Sequence, residues 1–285
     1  MAKVAIVTDS TAYIPRELMN NLLISIVPLQ VIFGEQTFLD GVEIQSKQFY
    51  EKLQNTKVMP TTSQPTPQAF EKEYRRLLEQ GYDILTITIS SKLSGTLDSA
   101  MQAKKVFPEA NIELVDSEVT SMAMGFMVLT VARAAQQGAT LAECKALAER
   151  GKRFAGALFI PSTLEFLHRG GRIGGAAAFL GTALDLKPLL GLEGGKVVAI
   201  ERVRTMGKAI NRLLDLLVER LNGQKPIHIA ALHANAPEDA ALLLEKTRER
   251  FPVSDVSEAV LAEVSPVIGT HTGPGTVGIA WLAGI

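Results

Sequence analysis

The chain reads as an α/β protein of two units: an N-terminal parallel sheet flanked by helices, then a smaller C-terminal α+β unit with a mixed sheet. Three observations carry this reading. The first half alternates short β-branched runs with helical ones, the pattern of a parallel sheet covered by helices. The second half separates its strand-like runs both by hairpin signals and by helices, which is what a mixed sheet needs. A chain of 285 residues also exceeds one typical domain, so two cores are expected.

Residues 3–8 form a buried strand that ends in Asp9-Ser10-Thr11, and Pro15 opens a short helix through Asn21. Residues 24–33 are extended, and Asp40-Gly41 inside a polar-apolar alternation signals a hairpin turn. Together these predict a small insertion at about 28–60 rather than another βα unit. Ser46 caps a helix to about Gln54, and 55–67 follows as a polar loop punctuated by Pro60, Pro65 and Pro67. Regular alternation then resumes: a helix broken at Gly81, strand 84–89, a loop, helix 95–106, strand 112–115, helix 121–137 ended by Gly138, helix 141–153 and strand 155–160. Pro161 and a short helix ending near His168 come next. The boundary between units falls here, giving 1–155 and 156–285 with a ligand cleft between them. Beyond it lie a glycine-rich stretch, a hairpin through Glu193-Gly194-Gly195-Lys196, helix 205–221, strand 227–233, helix 237–251 and a last strand 277–282.

Composition excludes several function classes. A net charge of -1 without a sustained block of one sign lacks the basic face that tight nucleic-acid binding uses. No signal peptide is readable behind Met1, and the most apolar stretches, such as 154–160, fall far below the roughly 20 residues that cross a bilayer. Cys144, the single cysteine, permits no intrachain disulfide and fits a reducing compartment. A soluble cytoplasmic protein is expected. No histidine shows a spacing with carboxylates that points to a metal, and no cofactor is implied.

Four polar segments lie where strands or helices end, the place where open α/β sheets hold ligands. They are 7–11, 61–65, 90–96 and 269–275. Ser94 precedes Gly95 at a helix start whose free N–H groups favour an anion such as a carboxylate, and it serves equally well as a plain cap. Asp9 and Asp116 read as turn or cap residues. His271 falls at the end of a short helix opened by Ser265-Pro266, where it is either solvated or held protonated toward a carboxylate. The corner 168–174 is basic and glycine-rich but lacks the Gly-Lys-Ser/Thr of a P-loop, which argues against nucleotide hydrolysis by this chain.

Taken together and in order, Asp9-Ser10-Thr11, Thr61-Thr62-Ser63-Gln64-Pro65 with its TSQP, the SSxLSGT of 90–96, the GGRI of 170–173 and the HTGPG of 271–275 resemble the DegV family. The resemblance spans nearly the whole chain and implies two α/β domains with a long-chain fatty acid such as hexadecanoate in a tunnel. It implies that the TSQP threonine and LSGT serine hold the carboxylate near the HTGPG histidine, which fall here on Thr62, Ser94 and His271, with Thr270 a further contact. It also implies a lipid carrier, not an enzyme, that presents the carboxylate to a separate ATP-dependent fatty-acid kinase for acyl-phosphate formation in phospholipid synthesis, with transient contact at a membrane surface for lipid exchange. Arg172, Arg202 and Arg204 are the expected partner surface, although the basic run is interrupted by Met206 and Gly207. Bottom-up chemistry is compatible: hydroxyl donors replace the hydration of a carboxylate, and at roughly 0.8 kcal/mol per buried methylene the tail needs only an apolar tunnel.

The alternative from another class is a serine hydrolase using Ser94, Asp116 and His271, which occur in the chain order of α/β-hydrolase triads. Against it, the serine is flanked by Lys92-Leu93 and Gly95-Thr96 and so lacks the Gly-x-Ser-x-Gly elbow.

Overall fold

The computed structural model describes residues 3–181 and 186–285. Its first half builds a four-stranded, all-parallel sheet from β1 (Val4–Asp9), β2 (Ile24–Val27), β6 (Asp83–Thr88) and β7 (Ile112–Asp116), in the order β2-β1-β6-β7. Every residue of β1 is buried, as expected for a parallel strand covered on both faces. Between β2 and β6 the chain inserts a small antiparallel sheet, ordered β4-β3-β5, from β3 (Gln30–Phe33), β4 (Gln36–Leu39) and β5 (Thr61–Ser63). Helix α1 (Ser46–Gln54) lies within the same insertion.

Two details of the insertion differ from the sequence expectation. The β3–β4 hairpin turns at Gly34-Glu35, where Gly34 takes φ 58°, and not at Asp40-Gly41. Asp40 instead is buried, accepting from the Ser10 hydroxyl at 2.7 Å. The expected polar loop 55–67 contains a strand, because Thr62 pairs with Val31 across β3. Three residues of Thr and Ser between prolines carry too short an alternation to announce it.

The second half forms a six-stranded mixed sheet, β10-β9-β8-β13-β11-β12, from β8 (Ala155–Ile160), β9 (Lys187–Glu193), β10 (Lys196–Val203), β11 (Ile227–His233), β12 (Val256–Glu263) and β13 (Val277–Ala283). All its pairings are antiparallel except β11 with β12. The β9–β10 hairpin sits at the expected Gly194-Gly195 turn. Edge strand β12 has no counterpart in the sequence reading: Val-Ser-Glu-Ala alternates weakly, and its charged residues mark an edge more than a core strand.

The layers follow from burial. On the outer face of the parallel sheet, α2 (Pro67–Glu79) and α3 (Thr96–Lys104) close a core around Phe70, Tyr74 and Ile84. On the outer face of the mixed sheet, α7 (Met206–Leu221) and α8 (Pro237–Arg250) close another around Leu213, Leu243 and Ile279. Between the sheets runs α4 (Ser121–Gln136), accompanied on the side of the parallel sheet by α5 (Leu141–Gly151). Residues 121–129 of α4 are all buried, which is the burial of a helix apolar on every side. Gly138 at φ 97° ends it. Its core joins Ile6 and Leu85 of the first sheet to Ala157, Leu190 and Ala280 of the second, so one apolar cluster spans both halves. Two short helices, α6 (Glu165–Arg169) and α9 (Pro266–Thr272), border the space beside α4.

Candidate functional site

The two sheets and α9 enclose a cavity of about 920 Å³ of atom-free space, its open mouth included. Most of the wall is apolar, contributed by Leu29 and Ile89 from the first half and by Leu158, Leu192, Leu232 and Val264 from the second. Ile89 directly follows β6, so the cavity opens beyond the carboxyl end of a parallel strand, as the polar segments predict. The loop after β6 is fixed to the second sheet by Ser90, whose hydroxyl donates to the Gly195 carbonyl at 2.8 Å.

Thr62, Ser94, Arg172 and His271 all line this cavity. They come from four separate parts of the chain: β5, the turn before α3, the turn after α6, and the end of α9. Thr62 Oγ1 lies 2.8 Å from His271 Nε2. Ser94 Oγ lies 2.9 Å from Thr96 Oγ1 at the first turn of α3, whose cap position is Gly95. Each hydroxyl can therefore accept from its neighbour and direct its own proton at a ligand.

Arg172, expected on a partner-facing surface, stands at the cavity. It is half-buried and joins the cavity wall, its Nε donating to Leu93 O at 3.0 Å and its Nη1 to Gly170 O at 2.8 Å. Two backbone carbonyls thus hold the guanidinium inward beside Ser94, where a glycine-rich turn alone would leave it in solvent. Arg202 and Arg204 are exposed, with the Arg202 guanidinium stacked 4.5 Å above the Phe179 ring.

His271 is neutral rather than protonated. Burial, and secondarily the Arg172 charge, push its pKa down to about 4. A seven-residue helix contributes too little dipole to offset both effects. Its Nδ1 is buried without a hydrogen-bond partner. Thr270 stands apart from this group: its hydroxyl donates to Pro266 O at 2.9 Å, one turn back in α9, and its side chain is not part of the wall.

The hydrolase arrangement is absent. Asp116 accepts from the Ser91 and Glu118 amides, at 3.1 and 3.0 Å, and so shapes the turn after β7. His271 pairs with Thr62, and Ser94 with Thr96, so neither bond of a triad is formed. Among the described residues no group of three His, Cys, Asp or Glu side chains is placed to hold a metal ion, and no helix is long and apolar enough to cross a membrane.

Three lining residues carry no sequence signal that singles them out: Tyr13, Thr120 and Ser121. Beside them, two aspartates are buried. Asp9 accepts from Ile89 N at 2.7 Å and Thr11 Oγ1 at 2.6 Å, and burial raises its pKa to about 6. Asp40 accepts from Ser10 and, at 3.3 Å, from Val267 N at the start of α9, and burial raises it to about 7.

Fold and cavity together define an α/β protein with an apolar chamber between a parallel and a mixed sheet, polar where four chain segments converge. The chain belongs to the DegV family: the family model described as "Uncharacterised protein, DegV family" matches residues 3–284. A DegV domain-containing protein of Streptomyces coelicolor is 42% identical over 277 residues, covering 97% of each chain. A DegV family protein from Thermus thermophilus, whose solved structure is described as fatty acid binding, is similar with a TM-score of 0.93 and 38% identity over 99% of both chains. DegV of Bacillus subtilis, described as a fatty acid binding protein, has a TM-score of 0.88 and 36% identity, covering 99% of this chain and 100% of its own.

Proposed function

We propose that this protein binds one long-chain fatty acid, its acyl chain in the apolar cavity between the 1–155 and 156–285 units and its carboxylate against Thr62, Ser94 and His271. The observation that carries the reading is the Thr62–His271 pair, 2.8 Å apart, standing with Ser94 and Arg172 on the wall of a mostly apolar cavity. A neutral imidazole that donates from Nε2 to Thr62 leaves the threonine proton free for a carboxylate oxygen. Thr96 can do the same for Ser94. The nearby guanidinium supplies the positive charge that His271 lacks, so a buried carboxylate would not be left uncompensated. The resemblance to fatty-acid-binding relatives supports the same assignment.

The protein then acts as a carrier. It presents the carboxylate to a separate ATP-dependent fatty-acid kinase that makes the acyl-phosphate for phospholipid synthesis, and it exchanges lipid by transient contact with a membrane surface. Arg202 and Arg204, exposed on and just after β10, are the cationic positions offered to the kinase. The test is mass spectrometry of organic extracts of the purified protein, expected to release a fatty acid of about hexadecanoate length. Thr62→Ala and Ser94→Ala should each weaken the affinity by about 1.5–3 kcal/mol, the value of a hydrogen bond to a charged group, while thermal unfolding stays near wild type. If no acyl species is extracted and none added is taken up, the reading fails.

A further inference from the structure

The cavity carries a second set of polar groups that a carboxylate at Thr62 and His271 does not use. Tyr13, Thr120 and Ser121 line the wall, and the hydroxyl oxygen of each is buried with no hydrogen-bond partner. Thr120 and Ser121 are only 8% and 3% exposed, and the Ser121 hydroxyl stands close enough to the Tyr13 phenol to interact with it, short of a well-formed hydrogen bond. Buried hydroxyls in folded proteins are nearly always paired. Three hydroxyls gathered on the wall of a ligand cavity, none in a well-formed hydrogen bond to the protein, offer a place for a polar partner.

The backbone supports this reading. Tyr13 takes φ 30° and Ser121 takes φ 61°, left-handed conformations that neither residue type favours. One closes the turn after β1 and the other opens α4, so two elements hold strained backbone where they meet the cavity.

Tyr13 lies toward the start of α9 and the proposed carboxylate contact His271 at its end. Tyr13 lies near enough to Asp40 to feel its charge, and Asp40 binds Val267 at the start of α9, whereas His271 is at the end of that helix. Along the helix axis Val267 and His271 are about 6 Å apart. The neighbourhood also selects the kind of partner. Asp9 and Asp40 are paired with hydroxyl and amide donors and not with cations, so a second anion is disfavoured there. A neutral hydroxyl, which accepts from Tyr13 and donates to Ser121 or Thr120, suits the set.

We infer that the cavity selects acyl chains bearing a hydroxyl group along the chain, bound by Tyr13, Thr120 and Ser121, a specificity that rests on the fatty-acid reading above. The experiment is a displacement titration of octadecanoic acid against its monohydroxy isomers, with the hydroxyl placed at successive positions from mid-chain to the ω end. At least one isomer should bind about tenfold more tightly than the plain acid. Tyr13→Phe should tighten the plain acid, because its acyl chain then no longer strips a hydroxyl of water on binding, and weaken that isomer, so that the preference is lost. Thr120→Val should act in the same direction. The inference is overturned if every isomer binds more weakly than octadecanoic acid to the wild type, in which case water satisfies the hydroxyls, or if the preference survives in both variants. Failure of the plain acid itself to bind would overturn the parent reading and this one with it.

Discussion

Gly170 stands directly against the imidazole of His271. A Cβ there would lie 2.2 Å from His271 Nδ1 and 3.0 Å from Phe166 O, while its own φ of -75° suits any residue. Gly170→Ala therefore acts chiefly on the histidine, the closer of the two contacts, and demands no unusual backbone conformation. The ring must move, and the Thr62 contact with it, so fatty-acid affinity is expected to fall about tenfold with little change in thermal stability. Wild-type affinity measured by isothermal titration in this variant would show that His271 does not position Thr62. At this scale the sequence marks Ser94 and His271 because each falls at the end of an element, where unpaired backbone and short polar side chains meet, and it marks Thr62 only through the resemblance of its TSQP segment. It does not show Arg172, whose direction is set by Leu93 O, a carbonyl 79 residues away. Nor does it show Tyr13 or Ser121, since left-handed backbone at a tyrosine or serine has no compositional mark of the kind glycine or asparagine gives.

Helix α9 is the element on which the site depends, and it is too short to hold itself. Ser265 and Pro266 open it, and its position is fixed from outside: Asp40 of the insertion accepts from Val267 N, while Ser46 and Tyr50 of α1 donate to Val264 O at 3.1 and 3.4 Å. Gly269 is where α1 and α9 touch. A Cβ there would lie 2.5 Å from Tyr50 Oη and 3.0 Å from Phe49 Cε1. Helix propensity alone would make Gly269→Ala stabilising by about 1 kcal/mol. Overpacking against two buried aromatic rings opposes it, so a net loss of about 1–2 kcal/mol is expected, with weaker fatty-acid binding as His271 shifts. Urea midpoints and ligand titration check both effects, and a more stable variant would mean that α1 yields to α9. The opening of α9 is legible as Ser-Pro, and its partner is not. Asp40-Gly41 carries a hairpin signal, yet Asp40 serves a helix 227 residues away in sequence, a contact no local pattern encodes.

The whole molecule is five layers deep, and its middle layer explains why the two halves cannot be treated as separate bodies. Helix α4 packs against strands of both sheets, and the apolar cluster around it draws on both. The layer order is partly legible: strands alternating with helices predict covered sheets, and the apolar stretch 122–129 marks a helix buried on every side. That the ligand cavity lies beside this helix depends on contacts between halves and is not written in either. Within this interior the buried aspartates make stability depend on pH. Asp40 joins the turn after β1, the insertion and α9, and burial holds its proton up to about pH 7. Its ordinary value is 3.8, so between about pH 4 and 7 the unfolded chain has lost a proton that the native state keeps. The native state then binds more protons, and this group's contribution to stability declines as pH rises through that window. Asp9, raised to about 6, acts in the same sense. His271, lowered to about 4, acts in the opposite one, and Glu258, lowered to about 2, has finished titrating below it. The net slope of the wild type mixes all of these, but a comparison isolates Asp40. Asp40→Asn cannot ionise, so its stability relative to wild type should improve steadily from pH 4 to pH 7, by a few kcal/mol in all, and level off above. Urea midpoints measured across this range give the difference directly, and two parallel profiles would show that Asp40 is already ionised in the native protein at pH 4.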